Sequence, residues 1–392
     1  MVHIVACVLL LHTADTESLI KNLDSSERDK RIEAMMALAN LGPGAAKAVP
    51  PLVKILQVKD AELQLHAALA LGKIGKDALP PVANLLDSKD DDVHYHALAV
   101  LGWIGPDAKE TGPKVLPLLA SKNDGVRAKA AFALGRINAD PKIAVRPLVK
   151  LLTEKDDGVR NSAGEALARF KSAAVPALID ALSEDSVPTK RVAAKALGQI
   201  GLDAKDAADA LKVAAEAADA MLAEEAVRAL VKIEQDALPA VRAVLAGEQR
   251  QRAIADLQKI GAPSLPFLLD GLKSTKVEVR RQSAQAIAAL NIKEESMIAP
   301  LTRSLLDPDK DVRRASLQAL KGVALAARDA IPNLLANLKE KDADMRVLAL
   351  SVLREIPVES DAIVQAVTPL LQDPDENVRN LAKEVLAFQG KQ

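Results

Sequence analysis

PKVLPLLASKNDGVRAKAAFALGRI, residues 113–137, reads as two short helices joined by a tight turn. Pro113 suits the first turn of a helix, where its missing N–H costs nothing. Val115, Leu116, Leu118 and Leu119 follow as an apolar stripe. Asn123 is placed to cap a second helix by accepting from its free N–H groups. Val126, Ala130, Ala133, Leu134 and Ile137 then recur at helical spacing, which predicts one buried face. Neither helix can bury that face alone, whereas stacked copies can.

The rest of the chain supplies the copies. With the leucine of the ALG step as anchor, they align on Leu38, Leu71, Leu101, Leu134, Leu167, Leu197, Leu230, Leu257, Ile287, Leu320, Leu353 and Leu386. Four residues before each anchor every residue is small, from Ala34 and Ala67 through Ser283 and Ser316 to Ala382. Small residues there let neighbouring helices approach to the short end of roughly 8–10 Å packing. Seven before the anchor the residue is usually basic, as at Arg127, Arg160, Arg280, Arg313, Arg346 and Arg379. Eleven before it stands Asp, Asn or Ser in most copies, among them Asp60, Asp90, Asp156, Asp309, Asp342 and Asp375. This i, i+4 spacing predicts an acid–base pair within each second helix, with the acid at the favourable end.

VRAKAAFALGRI, VRRASLQALKGV and the turns DPDKDVR and DPDENVR resemble HEAT repeats, most of all the bacterial type found in phycobilisome lyases. The resemblance covers about residues 17–388. It implies an all-α fold, an α-solenoid, as a right-handed superhelix of about twelve helix pairs whose second helices line the concave side. Ankyrin repeats have a similar period but need a TPLHxA signature that this sequence lacks, and tetratricopeptide repeats need regular aromatic positions, against 2% aromatic content here. Along the chain, 17–202 reads as regular repeats 1–6, 203–261 as irregular repeats 7–8, and 262–392 as repeats 9–12. The irregular stretch has Ala223 at the basic position and Asp256 where other copies are apolar. Asp256 is either a buried acid in need of a partner or the mark of a rotated helix. Residues 203–261 are expected to be the least stable interval, cut first by protease around Ala246 to Gln251.

With 52 basic and 53 acidic residues, nothing draws the chain as a whole toward nucleic acid or an anionic membrane. No segment reaches the ~20 apolar residues that span a bilayer. The apolar residues 1–16, which hold the single cysteine, Cys7, read either as a helix capping the first repeat or as the remnant of a signal peptide. The compartment follows from that choice, cytoplasmic or exported. A monomer is expected.

No catalytic signature is present: no GxSxG elbow, P-loop, HExxH or paired CxxC. Asp92 with His96, and Glu62 with His66, are i, i+4 pairs in adjacent repeats that suggest a two-His, two-carboxylate metal site. Acids recur at this position in repeats without histidine, so they read better as helix N-terminal charges, and no metal or other cofactor is called for. HEAT-like iron hydroxylases use adjacent His–Glu pairs, and HEAT-like DNA glycosylases need a basic, aromatic-lined groove; neither is present. The expected function is a non-catalytic scaffold that holds a protein or peptide partner in its concave groove. The alternative that the resemblance offers is a lyase-like accessory protein handling a chromophore or cofactor.

The partner site is expected in repeats 2–4. Two residues before the anchor the side chain points away from the core; Met36, Leu69, Ala99 and Phe132 occupy this place in the first four repeats, and polar residues such as Glu165 and Lys195 follow. Trp103 stands two after its anchor, with His96 seven residues earlier and His66 as the counterpart one repeat back. His66, Leu69, Tyr95, His96, Trp103 and Phe132 are thus expected to form one exposed contact patch.

Overall fold

The computed structural model describes residues 16–233, 241, 245, 250–358 and 360–389. Among them every regular element is helical and there is no strand. Two expectations from the sequence concern stretches largely outside the described residues: the apolar segment 1–16, and the expected cleavage region around Ala246 to Gln251.

The chain divides into two units, Met1–Ala210 and Leu211–Gln392. In the first unit the second helices of successive repeats are α1 (Arg28–Leu41), α2 (Ala61–Ile74), α3 (Asp91–Ile104), α4 (Asp124–Arg136), α5 (Asp157–Arg169) and α6 (Val187–Ile200). In the second they are α7 (Ala220–Lys232), α8 (Arg250–Ile260), α9 (Val277–Leu290), α10 (Lys310–Lys321), α11 (Ala343–Glu355) and α12 (Glu376–Gln389). Each of the twelve anchors lies in its own second helix. First helices are shorter and often finish in a 3₁₀ turn: Gly112–Val115 passes into Leu116–Ala120 before α4 begins. All-α solenoid architecture follows directly from the alternation.

Local chemistry explains where the second helices start. Asp60 accepts from the Glu62 and Leu63 N–H groups, Asn123 from Val126, Asp156 from Val159 and Asp309 from Val312. An N-cap of this kind is worth about 0.5–2 kcal/mol. Gly75 and Gly105 end α2 and α3 at φ +81° and +76°, a backbone angle that a Cβ would penalise.

Packing between repeats rests on the small residues. Ala34, Ala67, Ala97, Ala130, Ala163 and Ala193 are all buried, as are the anchors beside them. Gly135 in α4 shows how close the helices come: a Cβ there would lie 2.7 Å from Ala166 Cα and 2.9 Å from Ala166 Cβ in α5.

The basic position works differently from the sequence expectation. Among the described residues the Asp at the helix start caps its own helix and makes no ion pair with the Arg four residues on, although Arg127 and Arg160 do pair with the next acid of their own first turn, Asp124 and Asp157. The Arg instead turns back: Arg313 donates to the Asp307 and Pro308 carbonyls, and Arg346 to those of Glu340 and Lys341. Each then reaches an acid 27 residues ahead. Arg280 Nε lies 2.7 Å from Asp307, Arg313 Nη2 2.8 Å from Glu340, and Arg346 Nη2 2.7 Å from Asp373. Arg127 makes the same link to Glu154 in the first unit, at 3.3 Å. The guanidinium thus closes the turn within one repeat and ties that repeat to the next. A four-residue spacing cannot reveal a partner that lies a whole repeat away.

Asp256 is buried, and Lys259 Nζ stands 3.2 Å from one of its carboxylate oxygens. The other oxygen is buried without a hydrogen-bond partner. Burial pushes this carboxyl above its ordinary range, against the pull of Lys259.

Candidate protein-contact surface

In the first unit the second helices turn outward at two positions, two and six residues before the anchor, with one exception: Ala99 of α3, expected outside, is buried. The two positions are one helical turn apart and form a single ridge. The first of them carries Met36 (53% exposed) and Leu69 (38%), and the second Leu65 (45%) and Tyr95 (37%). From α5 onward the same ridge carries Asn161, Glu165, Arg191 and Lys195. An apolar ridge in the first repeats therefore gives way to a polar one.

The residues singled out from sequence are distributed unevenly over this surface. Leu69 and Tyr95 are exposed and His66 is half-buried. His96, expected outside, is buried, with its ring edge-on to Tyr95 at 5.4 Å between centroids. Burial pushes its imidazole below the ordinary value, so the neutral form prevails near pH 7.

Trp103 and Phe132 are half-buried. The indole lies against the Gly72 backbone: a Cβ on Gly72 would meet Trp103 Cβ at 3.0 Å and Cε3 at 3.1 Å. The Phe132 ring fills the corresponding space over Gly102, where a Cβ would collide with it. The glycine that follows the anchor leaves a notch in one helix, and the aromatic of the next repeat drops into it. Both rings thus serve repeat stacking on one face and solvent on the other. The ammonium of Lys129 sits between Tyr95 and Phe132, 4.9 Å and 5.3 Å from the ring centroids, at cation–π range.

Leu65 was missed by the sequence reading. The signal for it was present: it is one turn before Leu69 on the same face, and the identical step relates Tyr95 to Ala99.

At the N-terminal ends of α2, α3 and α4 a cleft of about 640 Å³ opens beside the ridge. Gln64, Leu65, Tyr95, His96 and Val126 form its walls, and Lys59, Asp60, Asp91 and Asp92 are its charged lining. Arg28 grips Asp60 with two nitrogens, at 2.8 and 3.1 Å, and reaches Glu62 at 2.5 Å. That grip holds the Asp60 carboxyl down at about 2. Glu62 is thereby committed to an arginine. Among the described residues no three His, Cys, Asp or Glu side chains are gathered as a metal site would need. Nor is any described helix long and apolar enough to cross a membrane.

A model of HEAT repeats matches residues 16–102, 51–121, 112–191 and 246–321, more than half of the chain. The chain belongs to the HEAT repeat family. No curated protein matches its sequence. Among solved structures it is similar in fold to Kap121p bound to Ste12p, at 12% identity and TM-score 0.54, with 95% of this chain and 48% of that one covered. Kap121p alone gives 14% identity and TM-score 0.52 over 95% and 48%. A chain of the structure of Kap95p binding to RanGDP gives 12% and 0.53 over 95% and 62%. The present chain spans about half the length of Kap121p.

Proposed function

We propose that this protein is a non-catalytic scaffold that holds a protein or peptide partner on the second-helix side of its first four repeats. The observation that carries the reading is the apolar ridge of Met36, Leu65, Leu69 and Tyr95, exposed on neighbouring helices and flanked by Trp103 and Phe132. Contiguous exposed apolar surface on a chain with 27% charged residues marks a contact, and Trp, Tyr and Phe are favoured at such places. The ridge is confined to repeats 1–4, although the same helix positions recur in every repeat. Repeat stacking does not require apolar residues there, since α5 and α6 stack with polar ones. The fold is compatible with the reading: Kap121p, of similar architecture, was solved with a protein bound.

The test is a comparison of bound proteins. The tagged chain and its Leu65→Ser/Leu69→Ser variant are used to capture proteins from cells that make it, with identification by mass spectrometry. A protein retained by the parent and lost with the variant, whose helical signal is unchanged, is expected. Equal recovery by both would remove the ridge as the site.

A further inference from the structure

The cleft beside the ridge has a charge pattern that the ridge alone does not explain. Its lining brings three carboxylates, Asp60, Asp91 and Asp92, against one ammonium, Lys59. Asp60 is already neutralised by Arg28 at 2.8 Å. The nearest basic nitrogen to Asp91 is His94 Nδ1, 3.9 Å away, and Asp91 keeps half of its side-chain surface. No ion pair engages Asp92 among the described residues, and His96 one turn on is held neutral by burial.

Three helices begin at this cleft, and helix N-termini ordinarily favour anions. Here the caps already take up some of the free amides: Asp60 accepts from Glu62 and Leu63, Asp90 from Asp92, and Asn123 from Val126. The exposed carboxylates of Asp91 and Asp92 add negative charge next to the apolar surfaces of Leu65 and Tyr95. A phosphate or a nucleic-acid backbone would be repelled there. A metal ion would find two carboxylates with no third ligand gathered beside them.

We propose that this cleft receives a basic segment of the partner polypeptide, with a lysine or arginine between Asp91 and Asp92 and an adjoining aliphatic side chain on Leu65 and Tyr95. The proposal rests on the scaffold reading above and gives the partner its chemistry. The volume of about 640 Å³ is within the usual range for a ligand cleft, roughly 300–1,000 Å³. Lys129, over the Tyr95 and Phe132 rings, already supplies their cation, so the incoming positive charge is assigned to the carboxylates and not to the rings.

The probe is a phage-displayed library of random 12-residue peptides, selected on the full chain. Enriched peptides are then synthesised with a fluorescent label and titrated by anisotropy. Expected are sequences with Lys or Arg next to an aliphatic residue. Their affinity should fall at least tenfold with Asp91→Asn/Asp92→Asn, fall similarly with Leu65→Ser/Tyr95→Ser, and weaken between 50 and 300 mM salt. Both double variants lie on exposed positions, and circular dichroism checks their folding. Peptides that lose affinity only with Leu65→Ser/Tyr95→Ser overturn the charge assignment and leave the ridge standing. Peptides indifferent to both variants, or an enrichment of acidic sequences, overturn the proposal; indifference to both overturns the ridge as well.

Discussion

Gly135→Ala is a test of sign. On helix propensity alone, alanine within α4 should stabilise the chain by about 0.5–1 kcal/mol over glycine. The stack predicts the opposite. The new methyl would stand 2.7 Å from Ala166 Cα and 2.9 Å from Ala166 Cβ, with Arg169 Cδ at 3.2 Å. The arginine methylene can swing aside, but a backbone Cα can yield only if α5 moves off α4. Overpacking a tight interior costs typically 1–3 kcal/mol. Because the obstacle is backbone, the upper part of that range applies, which leaves a net loss of ~1–2 kcal/mol after the propensity gain. Urea unfolding followed by circular dichroism at 222 nm reads this as a lower midpoint at unchanged slope. Ala166→Gly removes the methyl–methyl contact, so the loss from Gly135→Ala should shrink in that background, a coupling expected between touching residues. A stabilised Gly135→Ala protein with no coupling to position 166 would show that the helices do not approach as described.

Four further expectations concern charge and the notches. Arg346→Ala should cost ~3–5 kcal/mol, because Asp373 and two carbonyls lose a buried partner, whereas the more exposed Arg281→Ala should cost under ~1 kcal/mol; equal losses in urea titration would contradict the buried clamp. Asp256→Asn should raise the urea midpoint at pH 7, because the folded carboxyl is pushed up and its ionised form is the costly one. That difference should shrink as pH falls and vanish below about pH 3, under the unfolded value near 4, where the acid is protonated folded and unfolded alike. Asp60 works in the opposite direction. Its folded value of about 2 contributes stability above the unfolded value near 4, lost as pH falls toward 2, so Asp60→Asn should be destabilising at pH 7 and harmless near pH 2 in a melting series. Trp103→Ala should lower the melting temperature as well as weaken a partner, since it empties the notch over Gly72; a loss of binding with an unchanged melting curve would show that the indole does not pack there.

The features legible in the sequence were those fixed within one repeat. The cap and the anchor of one helix are only eleven residues apart, so the anchors, the small residues and the Asp or Asn caps could be read from spacing alone. What escaped was set between repeats. The partner of Arg346 is Asp373, 27 residues on, and no local periodicity connects them. His96 was placed outside by its helical angle, yet it is buried beside Tyr95. Trp103 and Phe132 were read as fully exposed because their own helices leave them so; the glycine notch that half-buries each belongs to the preceding helix. Leu65 escaped for a simpler reason: the outward positions that the spacing singled out lie two before and two after the anchor, and Leu65 lies six before it.

The claim that repeats 1–4 hold the partner is tested most directly by photo-crosslinking from the ridge. Benzoylphenylalanine is introduced singly at Met36, Leu69, Glu165 and Lys195, which occupy one position in four different repeats, and adducts are resolved by mass spectrometry in cells that make the protein. The account predicts a common adduct from positions 36 and 69, with none of that adduct from 165 or 195. The same adduct from 165 and 195, with nothing captured from 36 and 69, would contradict it.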